Sequence, residues 1–208
     1  MHQIILIRHG EAAKSATDAD PGLTERGQQQ AQELIASLDR RFPGGRDVTL
    51  VSSPKSRALQ TAIPVATHWG KEIHQVPDVI EIPSPQGVPL EKRGAWIRQF
   101  LNDSWTSLTP AQNLWREGLL SYLSGLEGPG SKSPDVLGNP DHTTLVFCHF
   151  MVINSVVAAL KKHNKVAQFF PDYTSQTEIK LDRGILTLTE LGQERNTEGE
   201  DAGEHRIQ

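Results

Sequence analysis

Three short apolar runs, Ile4–Ile7, Val48–Val51 and Thr143–Phe147, constrain this chain more than any other feature of its 208 residues. Each is too short for a helix, and none alternates apolar with polar side chains. Such runs read as strands buried on both faces, the kind found in a parallel sheet covered by helices. Amphipathic stretches separate them. A helix is predicted over Glu25–Arg41, with Ala31, Leu34, Ile35, Leu38 and Phe42 at helical spacing, Thr24 as N-cap and Pro43-Gly44-Gly45 as the stop. Ser53-Pro54 reads as an N-cap followed by proline at the first helical position. Ala58, Leu59, Ala62, Val65 and Ala66 form one side of that helix, and Pro64 is expected to kink it or end it. A weaker third strand falls around His74–Ile80. Residues 83–118 hold Trp96, Trp105 and Trp115 and show no single period, so they read as a helical excursion, with a helix near Pro110–Leu126. Residues 128–141 are rich in Gly, Pro and Ser and read as a loop. An apolar helix with Met151, Val152, Ile153, Val156, Val157 and Leu160 follows His149. Glu178–Leu181 and Ile185–Glu190 are predicted to form a hairpin around Asp182-Arg183-Gly184. The pattern predicts an α/β fold: a three-layer α/β/α sandwich with a mostly parallel central sheet and a helical insertion after the third strand. One domain is expected over residues 1–191, with 83–118 as its cap. The polar stretch 192–208 is expected to be a disordered tail.

The function classes that composition excludes are few but useful. The formal net charge is -4, without the basic stripe of a nucleic-acid binder. The first apolar run is cut short by Arg8, so it is neither a secretory leader nor a membrane span. A cytoplasmic protein is the expectation. The single cysteine, Cys148, allows no internal disulfide, and no Cys/His spacing resembles a zinc site.

Polar residues follow three of the strands: Arg8-His9 after the first, Ser52-Ser53 after the second, and His149 after the run at 143–147. In an open parallel sheet, ligands bind outside the carboxyl ends of the strands, where strand order reverses. Arg57 stands about one turn into the helix starting near Pro54, and helical side chains lean toward the N-terminus, so it can reach the same crevice. Phe150 opens the next helix, where free backbone N–H groups favour an anion. Two arginines, two histidines and a helix start suit a dianionic phosphoryl group; sulfate or carboxylate would fit more loosely. Any one of these residues alone would be unremarkable. His2, His68, His74, His142, His163 and His205 carry no such context.

The context extends to a family. Ile7-Arg8-His9-Gly10-Glu11, Leu23-Thr24-Glu25-Arg26-Gly27 and Ser52-Ser53-Pro54 through Arg57-Ala58 and Gln60-Thr61-Ala62, with His149 later, resemble the signature blocks of the histidine phosphatase superfamily, the phosphoglycerate-mutase-like group. The resemblance implies that His9 attacks phosphorus and becomes a phosphohistidine, with Arg8, Arg57 and His149 binding the phosphoryl oxygens. It implies no cofactor and no metal. Glu11 would hold the loop. The family's general acid is a carboxylate in or after the third strand; Glu81 fits by position, with Asp78 and Glu91 as alternatives. Two departures stand out. Cys148 and Phe150 flank the second histidine where many members have glycine. Residues 12–22 contain no asparagine, so either Ser15 or Thr17 substitutes for that phosphate contact or the contact is lost. With no evident counterpart of a mutase's long substrate-binding inserts, the resemblance favours a phosphatase over phosphoglycerate-mutase-type transfer or an inactive phospho-ligand binder. The implied substrate is a small phosphorylated metabolite or a phosphoprotein, with Lys92, Arg93, Arg98 and Arg116 available for further anionic groups.

Overall fold

The computed structural model describes residues 2–15, 17–126 and 141–195. Six strands form one sheet: β1 (His2–Arg8), β2 (Val48–Ser52), β3 (Ile73–Gln75), β4 (Thr143–Cys148), β5 (Gln176–Asp182) and β6 (Ile185–Glu190). Their order is β3-β2-β4-β1-β5-β6. The first four are parallel; β5 runs antiparallel to β1, and β6 to β5. The fully buried runs are the central β2 and β4, whereas β5 alternates buried and partly exposed residues, as one covered face requires.

Side chains of β1 point alternately to two cores. Ile5 and Ile7 pack with Leu34 and Leu38 of α1 (Glu25–Arg41) and with Ala62 and Val65 of α2 (Ser56–Trp69). Ile4 and Leu6 face the other way, onto Val152 and Val156 of α5 (Phe150–Lys161) and Leu119 and Leu123 of α4 (Pro110–Ser124). This is the expected three-layer α/β/α sandwich. The insertion contributes α3 (Arg93–Phe100) and a short turn at Trp105–Ser107. Its Phe100, Leu101 and Trp105 pack with Ile82, Phe150 and Met151 in a third cluster, fixing the insertion beside the start of α5.

Three local expectations change. The helix read from Pro54 begins at Ser56, with Lys55 as N-cap and no side-chain cap bond from it; Ser53 Oγ accepts the Lys55 N–H and also lies 2.8 Å from His149 Nε2. Pro64 does not end α2, which continues to Trp69. Burial of Val65 and Ala66 against the sheet outweighs the one backbone bond a proline removes. The third strand ends at Gln75, and Pro77–Val79 forms a single helical turn, since proline has no N–H for the ladder. Of the tail expected from residue 192, Gln193–Arg195 pair with Phe170–Asp172, while 196–208 lie outside the described residues. So does the loop expected at 128–141, save Asp141.

The consequence for function is topological. β4 enters between β1 and β2, with Arg8 opposite Cys148 and Ser52 opposite Phe147. The residues that follow these strands, His9, His149 and Ser53, therefore lie side by side at one edge of the sheet.

Candidate active site

His9 is fully buried. Its backbone N–H donates to the Cys148 carbonyl at 3.0 Å. Its Nδ1 lies 2.7 Å from the carbonyl oxygen of Gly10. A carbonyl only accepts, so Nδ1 carries the proton and Nε2 keeps its lone pair. That lone pair accepts from Arg57 Nε at 3.2 Å. The imidazole is held in the tautomer a nucleophile needs, with the Arg57 guanidinium at its unprotonated nitrogen.

The motif residues around it hold one another in place. A Cβ on Gly10 would come within 2.7 Å of the Gly27 carbonyl, and a Cβ on Gly27 would overlap the Glu11 carbonyl. The loop after β1 and the start of α1 thus touch backbone to backbone. Glu11 accepts from the Thr24 hydroxyl at 2.8 Å, and Thr24 caps α1 at Gly27 N–H. Gln60 takes the Leu23 N–H at 2.7 Å, and Thr61 takes that of Gly10 at 3.0 Å. Glu11 here fastens the loop.

Arg8 is nearly fully buried, and burial pushes its pKa down from the usual arginine range. Nη1 donates to the Pro171 carbonyl at 2.8 Å. The guanidinium lies 4.3 Å from the ring centre of Tyr173 and 5.3 Å from that of Phe150. The Phe150 side chain is therefore a core residue supporting Arg8, and only its backbone stands at the first position of α5. His149 lies with its ring 5.3 Å from that of His9, nearly edge-on, and its Nε2 is 2.8 Å from Ser53 Oγ. Burial, then the charge of Arg57, holds its pKa well below the ordinary histidine value, so it is neutral near pH 7.

Glu81 follows the Pro77–Val79 turn and is almost fully buried. One carboxyl oxygen accepts from its own neighbour Ile82 N–H at 2.9 Å, the other from Met151 N–H in the first turn of α5 at 3.3 Å. Burial nevertheless raises its pKa above the usual carboxylate range, against the pull of those bonds and of Arg57. Of the alternatives, Glu91 stands on the outer wall of the adjoining cavity, and Asp78 lies against α4 at Gly118.

That cavity, about 500 Å³, is lined by residues 12–15, Asp18, Ala19 and Pro21 on one side and by Leu90, Glu91, Arg93, Gly94, Ile97 and Arg98 on the other, with Arg57 and Glu81 at its base. Arg93 donates to the Ile82 carbonyl at 3.0 Å, beside Glu81. Lys92 does not line the cavity, and Arg116 is drawn instead into the insertion's packing, over Trp105 and onto Ser155. Ser15 lines the wall, but its hydroxyl closes a local turn by accepting from Asp18 N–H; Thr17 is not among the lining residues.

Two residues were not visible from the sequence. Asp20 accepts from both the N–H and the hydroxyl of Ser56, acting as a cap for α2 from outside, and stands 3.9 Å from Arg57. Tyr173 supports Arg8 from a loop without periodicity. An acidic residue just ahead of the Leu23–Gly27 block was the one available signal for Asp20; none existed for Tyr173.

Fold and site together define an α/β protein with a buried histidine–arginine pocket at the carboxyl ends of its parallel strands. The family model of the histidine phosphatase superfamily (branch 1) matches residues 4–116, and the chain belongs to that family. Probable phosphoglycerate mutase GpmB of Yersinia pestis (strain Pestoides F) is 31% identical over 154 residues, 71% of this chain. Its counterpart in Yersinia pseudotuberculosis (serotype O:1b) matches equally, and the alignment spans 63% of the length of these relatives. Among solved structures, a phosphoserine phosphatase from Entamoeba histolytica, in complex with phosphoserine, covers 91% of this chain and 95% of its own at 24% identity and a TM-score of 0.64. A mycobacterial glucosyl-3-phosphoglycerate phosphatase with inorganic phosphate covers 86% and 89% at 20% identity and 0.63. These likenesses concern the fold. Among the described residues no helix is long and apolar enough to cross a membrane.

Proposed function

We propose that this protein is a metal-independent, cytoplasmic phosphatase that hydrolyses phosphate monoesters through a phosphohistidine on His9. The observation that carries the reading is the pinned tautomer: His9 Nδ1 donates to Gly10, so Nε2 faces the pocket as a base. Neutral imidazole is a competent nucleophile near neutral pH. The phosphoryl group takes the place of the Arg57–His9 bond, and Arg57 turns from nitrogen to oxygen. Arg8, Arg57, His149 and the N–H of Phe150 then bind the phosphoryl oxygens, which suits a transition state whose charge is spread over those oxygens. Nε2 forms the bond to phosphorus as the ester oxygen leaves with the Glu81 proton. The resulting carboxylate then takes a proton from water, whose oxygen attacks phosphorus and frees His9. A carboxyl whose pKa burial raises suits the first half of that cycle.

The substrate class is a small phosphorylated metabolite rather than a phosphoprotein. The cavity is of metabolite size, and Arg93, Arg98 and Lys14 on its wall suit an ester carrying a second acidic group. Phosphoryl transfer of the phosphoglycerate-mutase type is the second reading, favoured by the names of the Yersinia relatives. Exposed Lys14, Ser15, Asp18 and Arg98 at the cavity mouth favour hydrolysis, because they leave water a route to the phosphoenzyme.

The test is turnover of p-nitrophenyl phosphate and a panel of phosphometabolites, with and without chelator, beside His9→Ala. Turnover unchanged by chelator and lost in the variant supports the reading. Folded protein without turnover between acid and neutral pH sinks it, and so does chelator sensitivity for the metal-free mechanism. Interconversion of phosphoglycerates exceeding release of phosphate would favour the mutase.

A further inference from the structure

Ser53 directly follows β2 and is fully buried, as is His149. Its Oγ lies 2.8 Å from His149 Nε2 and also accepts the backbone N–H of Lys55 at 3.3 Å. The one proton between Oγ and Nε2 can be arranged in two ways. If Nε2 carries it and donates to Oγ, the serine's own hydroxyl proton is left with no acceptor among the described residues, and an orphaned buried donor is costly. If the hydroxyl donates to Nε2, every polar group of Ser53 is used.

A second observation lies across the ring. His149 Nδ1 is buried and has no hydrogen-bond partner among the described residues. The two ring nitrogens point in widely diverging directions, so with Nε2 turned to the end of β2, Nδ1 is turned away from it. The ring stands nearly edge-on to His9. A buried polar atom without a partner calls for an explanation, and a ligand that supplies the partner is one.

We propose that Ser53 donates its hydroxyl proton to His149 Nε2 and thereby fixes the neutral imidazole as its Nδ1–H tautomer, making His149 a preset donor to a phosphoryl oxygen. The proposal rests on the phosphatase reading for the identity of the ligand, but not for the tautomer. Ser53 is a positioning residue here. With the proton on the other nitrogen, His149 would present a lone pair to an anionic oxygen, and the contact would be repulsive. The depressed pKa of His149 agrees with a group that serves as a neutral donor. The serine that sequence spacing suggests as a helix cap thus serves two ends: its oxygen accepts the Lys55 N–H, and its proton goes to the second histidine.

The tautomer can be read directly from long-range proton–nitrogen NMR spectra of the full-length, histidine-15N-labelled protein at pH 7.5. His149 signals are assigned by their loss in His149→Gln. The expected result is a protonated Nδ1 and an unprotonated Nε2, retained in Ser53→Thr and lost or mixed in Ser53→Ala. In parallel, inorganic phosphate is expected to bind about tenfold more weakly to Ser53→Ala, the scale of one hydrogen bond, and normally to Ser53→Thr. A protonated Nε2 in the native protein overturns the proposal, as does an unchanged spectrum in Ser53→Ala. A changed tautomer with unchanged phosphate affinity overturns the donor role. A Ser53-dependent Nδ1–H signal in a protein that turns over no phosphate ester refutes the phosphatase reading while supporting the tautomer assignment.

Discussion

Acid should destabilise this protein through a histidine far from its active site. His2 opens β1 at the opposite end of the sheet and is 1% exposed. Its Nε2 lies 2.8 Å from Thr144 Oγ1, and its ring meets that of His142 edge-on at 5.5 Å. Burial first, then the neighbouring His142, lowers its pKa from 6.5 to about 4. In the unfolded chain His2 takes up a proton near pH 6.5; in the folded chain it does not until near pH 4. Its contribution to stability is therefore complete above pH 6.5 and is lost as pH falls toward 4. At 1.36 kcal/mol per unit, the loss between pH 7.5 and pH 5 is about 2 kcal/mol. In a chain of this size that corresponds to about 4–8 °C in Tm. His2→Gln removes the titration while leaving an amide that can still bond Thr144. Urea unfolding at the two pH values, followed by tryptophan fluorescence, gives the comparison. Native protein should lose about 2 kcal/mol more than the variant over this interval, because other titrating groups contribute equally to both. Equal losses would refute the buried-histidine argument, whatever the variant's stability at pH 7.5.

Glu81→Gln should lower kcat for alkyl phosphates by about 100- to 10,000-fold, the range of general acid–base catalysis, in steady-state assays. The native kcat should fall as pH rises through the raised Glu81 pKa, and the residual activity of the variant should lack that limb; a shared limb would assign it to another group. Asp20→Ala should lower thermal stability by about 1 kcal/mol through loss of the cap on α2. It should also raise KM, since Arg57 loses the carboxylate that aims it; a stability change with unaltered KM would leave Asp20 purely structural. Tyr173→Leu should weaken inorganic phosphate binding, measured by calorimetry, by about three- to thirtyfold, the scale of a desolvated cation–π contact. Unchanged affinity would mean that Arg8 is held in place without the Tyr173 ring.

What the sequence discloses divides along a physical line. The buried strands, α1 with its Thr24 cap, and the hairpin at Gly184 follow from local pattern, and each is found within a few residues of its predicted bounds. Arg8, His9, Arg57 and His149 come together because each ends or follows a strand or starts a helix, and the sheet order places those ends in one place; Glu81 joins them from beyond the turn after β3. Long-range engagement is where local reading fails. Ser53 carries the chemistry of a cap, yet its hydroxyl also reaches a residue 96 positions away. Tyr173 lies in an irregular loop, and nothing in its neighbours' spacing indicates that it will lie against Arg8. Pro64 shows the same imbalance from the other side, since the breaker is overruled by packing its own segment cannot reveal. Arg116 was available in principle to an anion, but the aromatic cluster around Trp105 claims it.

The place of β4 has a consequence for how the protein comes into being. On a ribosome, β1 and β2 emerge early, but neither borders the other; the strand that joins them begins only at Thr143. Until then the nascent chain holds His9 and Ser53 on separate ribbons, each with an open edge and an apolar face. His149 arrives directly behind the strand that closes the gap, and the Pro171 carbonyl and Tyr173 ring that hold Arg8 arrive later still. A pocket able to bind phosphate should therefore be complete only late in synthesis, once the chain has passed Tyr173.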